Sequence, residues 1–248
     1  LNGKRDKETV DFQVGFVIDA SGPRGCLFRL LRLSERHLPL MPMTSGLFAH
    51  FKNVGSLNIE DGVPYPVEDA AVHHVFDGGW VWVLKFNNGI TSAGVAASPE
   101  KVKSLRLSEG AVGWNLLLSH LPTLAKQFRE ADIQNVFVFV RELSFGVDEV
   151  AGSRWAILPP AAGFIDPLLS TGFALTLQGI IRLGKLLPSP SKEDLLLYQR
   201  QTLIELDQVS YLVVAGGGGA GTQISGNGGT GGAGAGGFRE DKSPVTPY

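Results

Sequence analysis

The residues best placed to do chemistry cluster in one stretch of this 248-residue chain, Arg154–Phe173. A short strand there runs into a Pro-rich turn at Pro159-Pro160. An Asp166-Pro167 loop follows, and then Ser170-Thr171-Gly172 at the head of an apolar helix. A backbone that turns through small residues and opens a helix leaves its first N–H groups without intrahelical acceptors, at the positive end of the helix dipole. Such groups suit an anion or the electron-rich edge of a cofactor. An ordinary loop-to-helix junction has the same residues, and that alternative stays open. Asp19 and Asp166 both sit among small residues, where a carboxylate either meets a ligand or caps its own turn.

Other side chains offer narrower chemistry. Trp80 and Trp82 are two apart in a strand and share a face, as a core pair or as the wall of a ligand cavity. His73 and His74 are adjacent, so they point to opposite faces and cannot jointly hold a metal; one of them can still face a cavity. Arg24, after Gly22-Pro23, meets a phosphate or solvent. Cys26 is the single cysteine, so the chain has no internal disulfide and no cysteine cluster for zinc, and no metal site is expected. Gly216-Gly-Gly218-Gly-Ala-Gly221 fits GxGxxG after a strand-like Ser210–Ala215, but Thr222–Gly229 lacks the helix that a dinucleotide turn requires. Gly179–Lys185 approaches a phosphate-binding loop, yet Leu186 stands where the metal-binding hydroxyl must be.

These residues need elements to hold them. Apolar alternation predicts strands over Val10–Ala20, Leu47–Val54, Ala70–Phe76, Trp80–Phe86, Ile90–Ala97 and Asn135–Glu142. Asn88-Gly89 predicts a two-residue hairpin loop. Helices are expected at Gly25–Leu33, Ser108–His120, Pro122–Ala131 and Gly172–Leu187, the last with a buried look. Pro188-Ser-Pro-Ser191 breaks that helix. Ser191 and Asp194 then start another through about Gln208.

Composition bounds the rest. A 44% hydrophobic content supports a real core, and a net charge of −2 gives no field that would draw nucleic acid. No apolar helix candidate is long enough to span a bilayer, and no signal-peptide pattern opens the chain; a cytoplasmic location is expected. The chain starts at Leu1 and runs straight into a turn-and-strand pattern, which suggests a fragment.

Taken in order, Asp19-Ala-Ser-Gly22, Gly79-Trp-Val-Trp82, Thr91-Ser-Ala-Gly94 and Ala162–Gly172 resemble the C-terminal part of an FAD-dependent oxidoreductase of the tryptophan-halogenase-like group, within the flavin monooxygenase superfamily. The resemblance covers about residues 1–208. It implies FAD as cofactor, a small organic substrate, and a separate flavin reductase as a further partner. Asp19, Ser21 and Gly22 would form the strand-end turn that passes the FAD. Asp166, Pro167, Ser170, Thr171 and Gly172 would form the loop along the isoalloxazine ring, with Thr171 and Gly172 also holding halide in a halogenase. Trp80 and Trp82 match the first two tryptophans of the WxWxIP motif near the substrate. Leu84-Lys85 replaces the Ile-Pro of that motif, and Pro159-Pro160 replaces a Gly-Asp whose Asp contacts FAD. The family's N-terminal GxGxxG segment and its halogen-carrying lysine fall before Leu1, so this chain alone is expected to bind FAD weakly or not at all and to be inactive. No protein acid or base is assigned.

The expected fold is α/β (α+β). Residues 1–30 and 150–208 would form an incomplete FAD-binding domain of the flavin monooxygenase type. Residues 31–149 would form an antiparallel substrate-side sheet with covering helices, and 209–248 a glycine-rich tail. Residues 216–237 hold 13 glycines, too little apolar surface for a core. With Ser243–Tyr248, this tail resembles glycine-rich segments of phage tail or virion proteins. Such segments stay flexible or pack in polyproline-II-like layers. Two readings therefore stand beside the flavoenzyme: a flavin-dependent reductase of an unsaturated lipid-like substrate, and a non-enzymatic phage tail protein.

Overall fold

The computed structural model describes residues 2–36, 43–57, 66–187, 189–218 and 237–239. The chain divides into two compact units: Leu1–Met41 with Ser144–Val213, and Pro42–Leu143 with Val214–Tyr248. The second unit thus combines a stretch that interrupts the first in sequence with the C-terminal end of the chain.

The first unit opens with a hairpin, β1 (Asn2–Arg5) and β2 (Glu8–Asp11). Asp6 and Lys7 both take positive φ, as a two-residue mirror-image turn demands. The single strand expected over Val10–Ala20 is therefore two. Asp11, opposite Asn2, is the last rung of the hairpin, and pairing resumes at β3 (Val17–Asp19) in a different sheet. Helix α1 (Cys26–Leu31) and β4 (Glu35–Arg36) complete this segment.

In the second unit, β5 (Ser45–Lys52), β6 (Val72–Phe76), β7 (Gly79–Lys85) and β8 (Thr91–Ala97) build an antiparallel sheet. β7 and β8 close through Asn87-Asn88-Gly89 rather than a two-residue loop. The Phe86 N–H donates to the Ile90 carbonyl at 2.8 Å, and the Gly89 N–H donates to the Phe86 carbonyl at 3.1 Å. Gly89 alone of the three takes positive φ, which suits a three-residue loop and not the two-residue turn with both centres left-handed. Next come α2 (Pro99–Ser104), α3 (Ala111–His120) and α4 (Pro122–Gln127). Gly110, at φ 64, separates α3 from a 3-10 turn, Leu107–Glu109, so the expected Ser108–His120 helix starts late. Strands β9 (Asp132–Ile133) and β10 (Val138–Val140) both pair with β5. One face of the sheet presents Leu47, Phe51, Val81, Val83 and Val95 to Leu107, Trp114, Leu117, Leu124 and Phe128, which form the unit's core.

Back in the first unit, β11 (Phe145–Val147), β12 (Ala151–Gly152) and β13 (Trp155–Ile157) lead into a short helix, α5 (Pro159–Ala162). That helix stands where a Pro-rich turn was expected, because Pro suits the first helical position, whose N–H has no acceptor in any case. β14 (Gly163–Phe164) and α6 (Thr171–Leu186) follow. Helix α7 runs Lys192–Gly218, so the strand expected over Ser210–Ala215 is helical backbone instead. The small sheets here are β14-β11-β4 and β12-β13-β3. Their core gathers Phe145, Ile157, Ala161, Leu175, Leu183, Tyr198 and Leu206. Last, β15 (Gly237–Arg239) lies parallel to β6 on the larger sheet. Most of the glycine-rich tail, 219–236 and 240–248, lies outside the described residues, as does Pro188 of the helix break. The mixed α/β fold expected from the sequence is the one observed. Among the described residues no helix is long and apolar enough to cross a membrane, and no group of three or more His, Cys, Asp or Glu could hold a metal ion.

Candidate functional site

The stretch from β13 to α6 is built as a cradle. Parallel pairing sets β13 beside β3, with Ile157 opposite Asp19, and the Leu158 N–H donates to the Asp19 carbonyl at 2.9 Å. The chain then folds through α5 and β14 to buried Ile165 and Asp166. Asp166 Oδ1 accepts the Leu168 N–H at 2.9 Å and shapes a 3-10 turn, Leu168–Ser170. Ser170 takes φ 53, a left-handed conformation uncommon outside glycine and asparagine. α6 begins at once. The Ser170 side chain makes no capping hydrogen bond and the first turn has no acidic residue. The opening N–H groups at Thr171 and Gly172 are thus left for another acceptor. A Cβ added at Gly172 would meet only Phe164 Cε2, at 3.9 Å, so the backbone there can be approached closely.

The Asp19 turn lies in the same unit. Asp19 Oδ1 accepts the Ser21 N–H at 2.9 Å and the Ser21 hydroxyl at 2.6 Å, and Oδ2 accepts the Leu27 N–H at 2.6 Å. Ser21 Oγ accepts the Cys26 N–H at 2.7 Å. The carboxylate therefore caps its own turn and the start of α1, the second of its two sequence readings. Gly22, at φ 85, supplies the left-handed step. Arg24 is partly exposed: its Nε donates to Glu35 at 2.6 Å and its guanidinium lies 4.6 Å from the Phe145 ring centre.

In the second unit, the sheet face opposite the helices carries the tryptophans. Cross-strand pairing aligns Phe48, Gly94, Trp82 and His73 in one row. Trp80 and Trp82 have ring centres 5.7 Å apart, Phe48 is 6.2 Å from Trp82, and His73 meets Trp80 edge-on at 4.9 Å. Gly94 has to be glycine, since a Cβ there would overlap both Trp82 and Phe48 Cβ. His74 points into the helix-covered side and is fully buried, so of the two histidines it is His73 that shares the tryptophan face.

The chain has counterparts among known proteins. The chain is similar to flavin-dependent halogenases. It is 29% identical over 205 residues to tetracycline 7-halogenase of Kitasatospora aureofaciens, covering 77% of this chain and 36% of that protein. It is 28% identical over 190 residues to the monodechloroaminopyrrolnitrin halogenase PrnC of Pseudomonas fluorescens, covering 72% and 33%. Among solved structures, halogenase PltM aligns at TM-score 0.72 with 26% identity, over 85% of this chain and 45% of that one. PltM in complex with phloroglucinol and FAD aligns at 0.66 with 26% identity, over 88% and 46%. The chain thus spans about a third of the length of the curated relatives it matches. No protein-family model matches it.

Both departures from the halogenase motifs have a structural role. Lys85, in place of the motif proline, ends β7 with its Nζ 3.6 Å from Glu68. Glu68 is held below the usual carboxylate range by a hydrogen bond from Ser56 and by the Lys85 charge, against a smaller opposing effect of burial. Pro159, in place of the motif glycine, packs on Gly179 of α6.

Sequence reasoning missed three supports. Tyr198 is buried, and its hydroxyl donates to the Ile157 carbonyl at 2.8 Å, pinning α7 to the strand that feeds the cradle. Burial pushes its pKa up to about 12. The Gln199 side-chain carbonyl accepts the N–H groups of Val150 and Ala151, at 2.9 and 3.2 Å. Gly179 lets α6 approach α5. A polar pair, Tyr198-Gln199, inside the Leu-rich segment was the available signal.

Proposed function

We propose that this chain carries the flavin-ring cradle and the substrate-side sheet of an FAD-dependent, halogenase- or monooxygenase-like oxidoreductase acting on a small organic substrate. The observation that carries this reading is the uncapped start of α6 at Thr171-Gly172, reached through β13, α5 and β14, in a chain similar to halogenases over most of its length.

The residues present fit part of a flavin. The N–H groups of Thr171 and Gly172 would lie against the electron-rich edge of the ring or a bound halide, where the helix dipole stabilises negative charge. Ser170 and Pro167 hold the backbone in that path. Asp19, Ser21 and Gly22 would contribute a backbone wall rather than a free carboxylate, because Asp19 is committed to its turn. Reduced FAD supplies the chemistry when bound, by reaction with O₂; a separate flavin reductase would deliver it. Trp80, Trp82 and Phe48 would present an apolar wall of mutually tilted rings that excludes water and contacts an aromatic substrate.

Flavin titration tests the reading. This chain is expected to bind FAD with a dissociation constant above about 1 μM, near −8 kcal/mol or weaker. Gly172→Val has room in the fold but covers the cradle, so it is expected to weaken binding at least about tenfold, or 1.4 kcal/mol, with thermal stability unchanged. Equal binding by Gly172→Val, or none by the parent chain at millimolar FAD, overturns the cradle. Product analysis with and without halide separates the two activities.

A further inference from the structure

The two sides of the tryptophan-bearing sheet end differently. On one side the outer strands are β9 and β10, two and three residues long, and so short an edge offers little to another chain. On the other side lies β6. It runs five residues, Val72–Phe76, and pairs with β7 residue for residue without a bulge. Its sequence, Val-His-His-Val-Phe, holds no lysine, proline or acidic residue, and Val75 is 37% exposed. A flat strand with none of these protections is a template for pairing with another chain. What covers it is β15. Gly237, Phe238 and Arg239 lie parallel to β6, opposite His73, His74 and Val75. In sequence, Phe238 is the first aromatic residue after Tyr211, so a strand-favouring residue falls in the paired stretch of the tail.

We propose that β15 is a displaceable guard strand, and that a second copy of this chain pairs with β6 when β15 leaves. Three paired residues gain few hydrogen bonds against the ordering entropy of the same residues, so the guard is weakly held. It keeps its place because a strand on the same chain competes at an effective concentration far above that of a second copy. With the guard gone, five residues of β6 present unpaired backbone. The self-complementary partner is then β6 of another copy, antiparallel about a two-fold axis. The inference goes beyond the flavin reading and needs neither flavin nor substrate.

Full-length chains in flavin-free buffer test it. Consecutive strand residues turn their N–H groups to opposite sides, so the double variant Gly237→Pro, Phe238→Pro removes a ladder bond whichever of the two faces β6. Amide exchange at Val72–Phe76 is expected to quicken about tenfold or more. In sedimentation equilibrium the double variant is expected to form a concentration-dependent dimer where the parent chain stays monomeric. Adding Val75→Lys, which puts a charge on the edge, is expected to return the double variant to monomer while exchange at β6 stays fast. Unchanged exchange at β6, faster exchange without a dimer, or a dimer that survives Val75→Lys each overturns the proposal.

Discussion

Two glycines of α6 should respond oppositely to the same substitution. Gly179 lies mid-helix, and a Cβ there would sit 2.6 Å from Pro159 Cδ, 3.0 Å from Pro159 Cγ and 3.5 Å from Leu158 Cδ2. A proline ring has no rotamer through which to retreat, and Pro159 starts α5, so relief requires moving the helix. Gly→Ala in a helix interior gains about 1 kcal/mol, while forced overpacking costs about 1–3 kcal/mol. Gly179→Ala is thus expected to lose up to about 2 kcal/mol net. Gly184, five residues on, is exposed with nothing within 4 Å of the added Cβ. There the gain stands alone, reduced near the helix end to about 0.5–1 kcal/mol of stabilisation. Urea unfolding reads both, as opposite shifts in midpoint at a constant slope. Adding Pro159→Ala should return much of the Gly179→Ala loss, as positive coupling in a double-mutant cycle. If Gly179→Ala stabilises the chain as much as Gly184→Ala does, the account of how α6 seats on α5 is wrong.

Two further outcomes follow from buried polar contacts. Tyr198 keeps its proton in the folded chain up to about pH 12, against the ordinary tyrosine value of 10.0, so its contribution is fully present below pH 10. That contribution, about 3 kcal/mol, is lost as pH rises from 10 toward 12, where only the unfolded chain ionises; Tyr198→Phe should flatten this part of the stability-versus-pH curve. Asp19→Ala removes an acceptor of three hydrogen bonds and is expected to cost about 3 kcal/mol in flavin-free chain by chemical denaturation. A residue that served only to touch a cofactor would leave that midpoint unmoved.

The sheet was the most legible part of the sequence. Trp80–Val83 is an unbroken run of aromatic and β-branched residues, which marks β7, and Gly94 of β8 marks the place where an indole needs room. Local propensity failed where context outweighed it. Tyr211–Ala215 is rich in residues that favour strands, but it continues a helix already nucleated at Lys192, and extending a helix is far easier than starting one. In Val10–Ala20 apolar residues recur throughout, yet the strand breaks and changes partner midway. At the candidate site, the small residues and aspartates of 19–22 and 166–172 could be named from sequence. What Asp19 does could not, because its deciding partner is the Leu27 amide, eight residues away.

The junctions of the interrupting stretch carry a consequence of their own. Its ingoing and outgoing segments run side by side: the Leu143 N–H donates to the Thr44 carbonyl at 3.0 Å, and the Ser45 hydroxyl donates to the Arg141 carbonyl. About a hundred residues thus leave and return through one narrow neck. Loop-closure entropy grows only slowly with length once the ends are fixed together. The loops beyond the neck can be lengthened or trimmed while both junction segments keep their pairing. The tryptophan face is on the stretch that this neck closes and the helix cradle is on the stretch outside it, so the two can diversify at different rates.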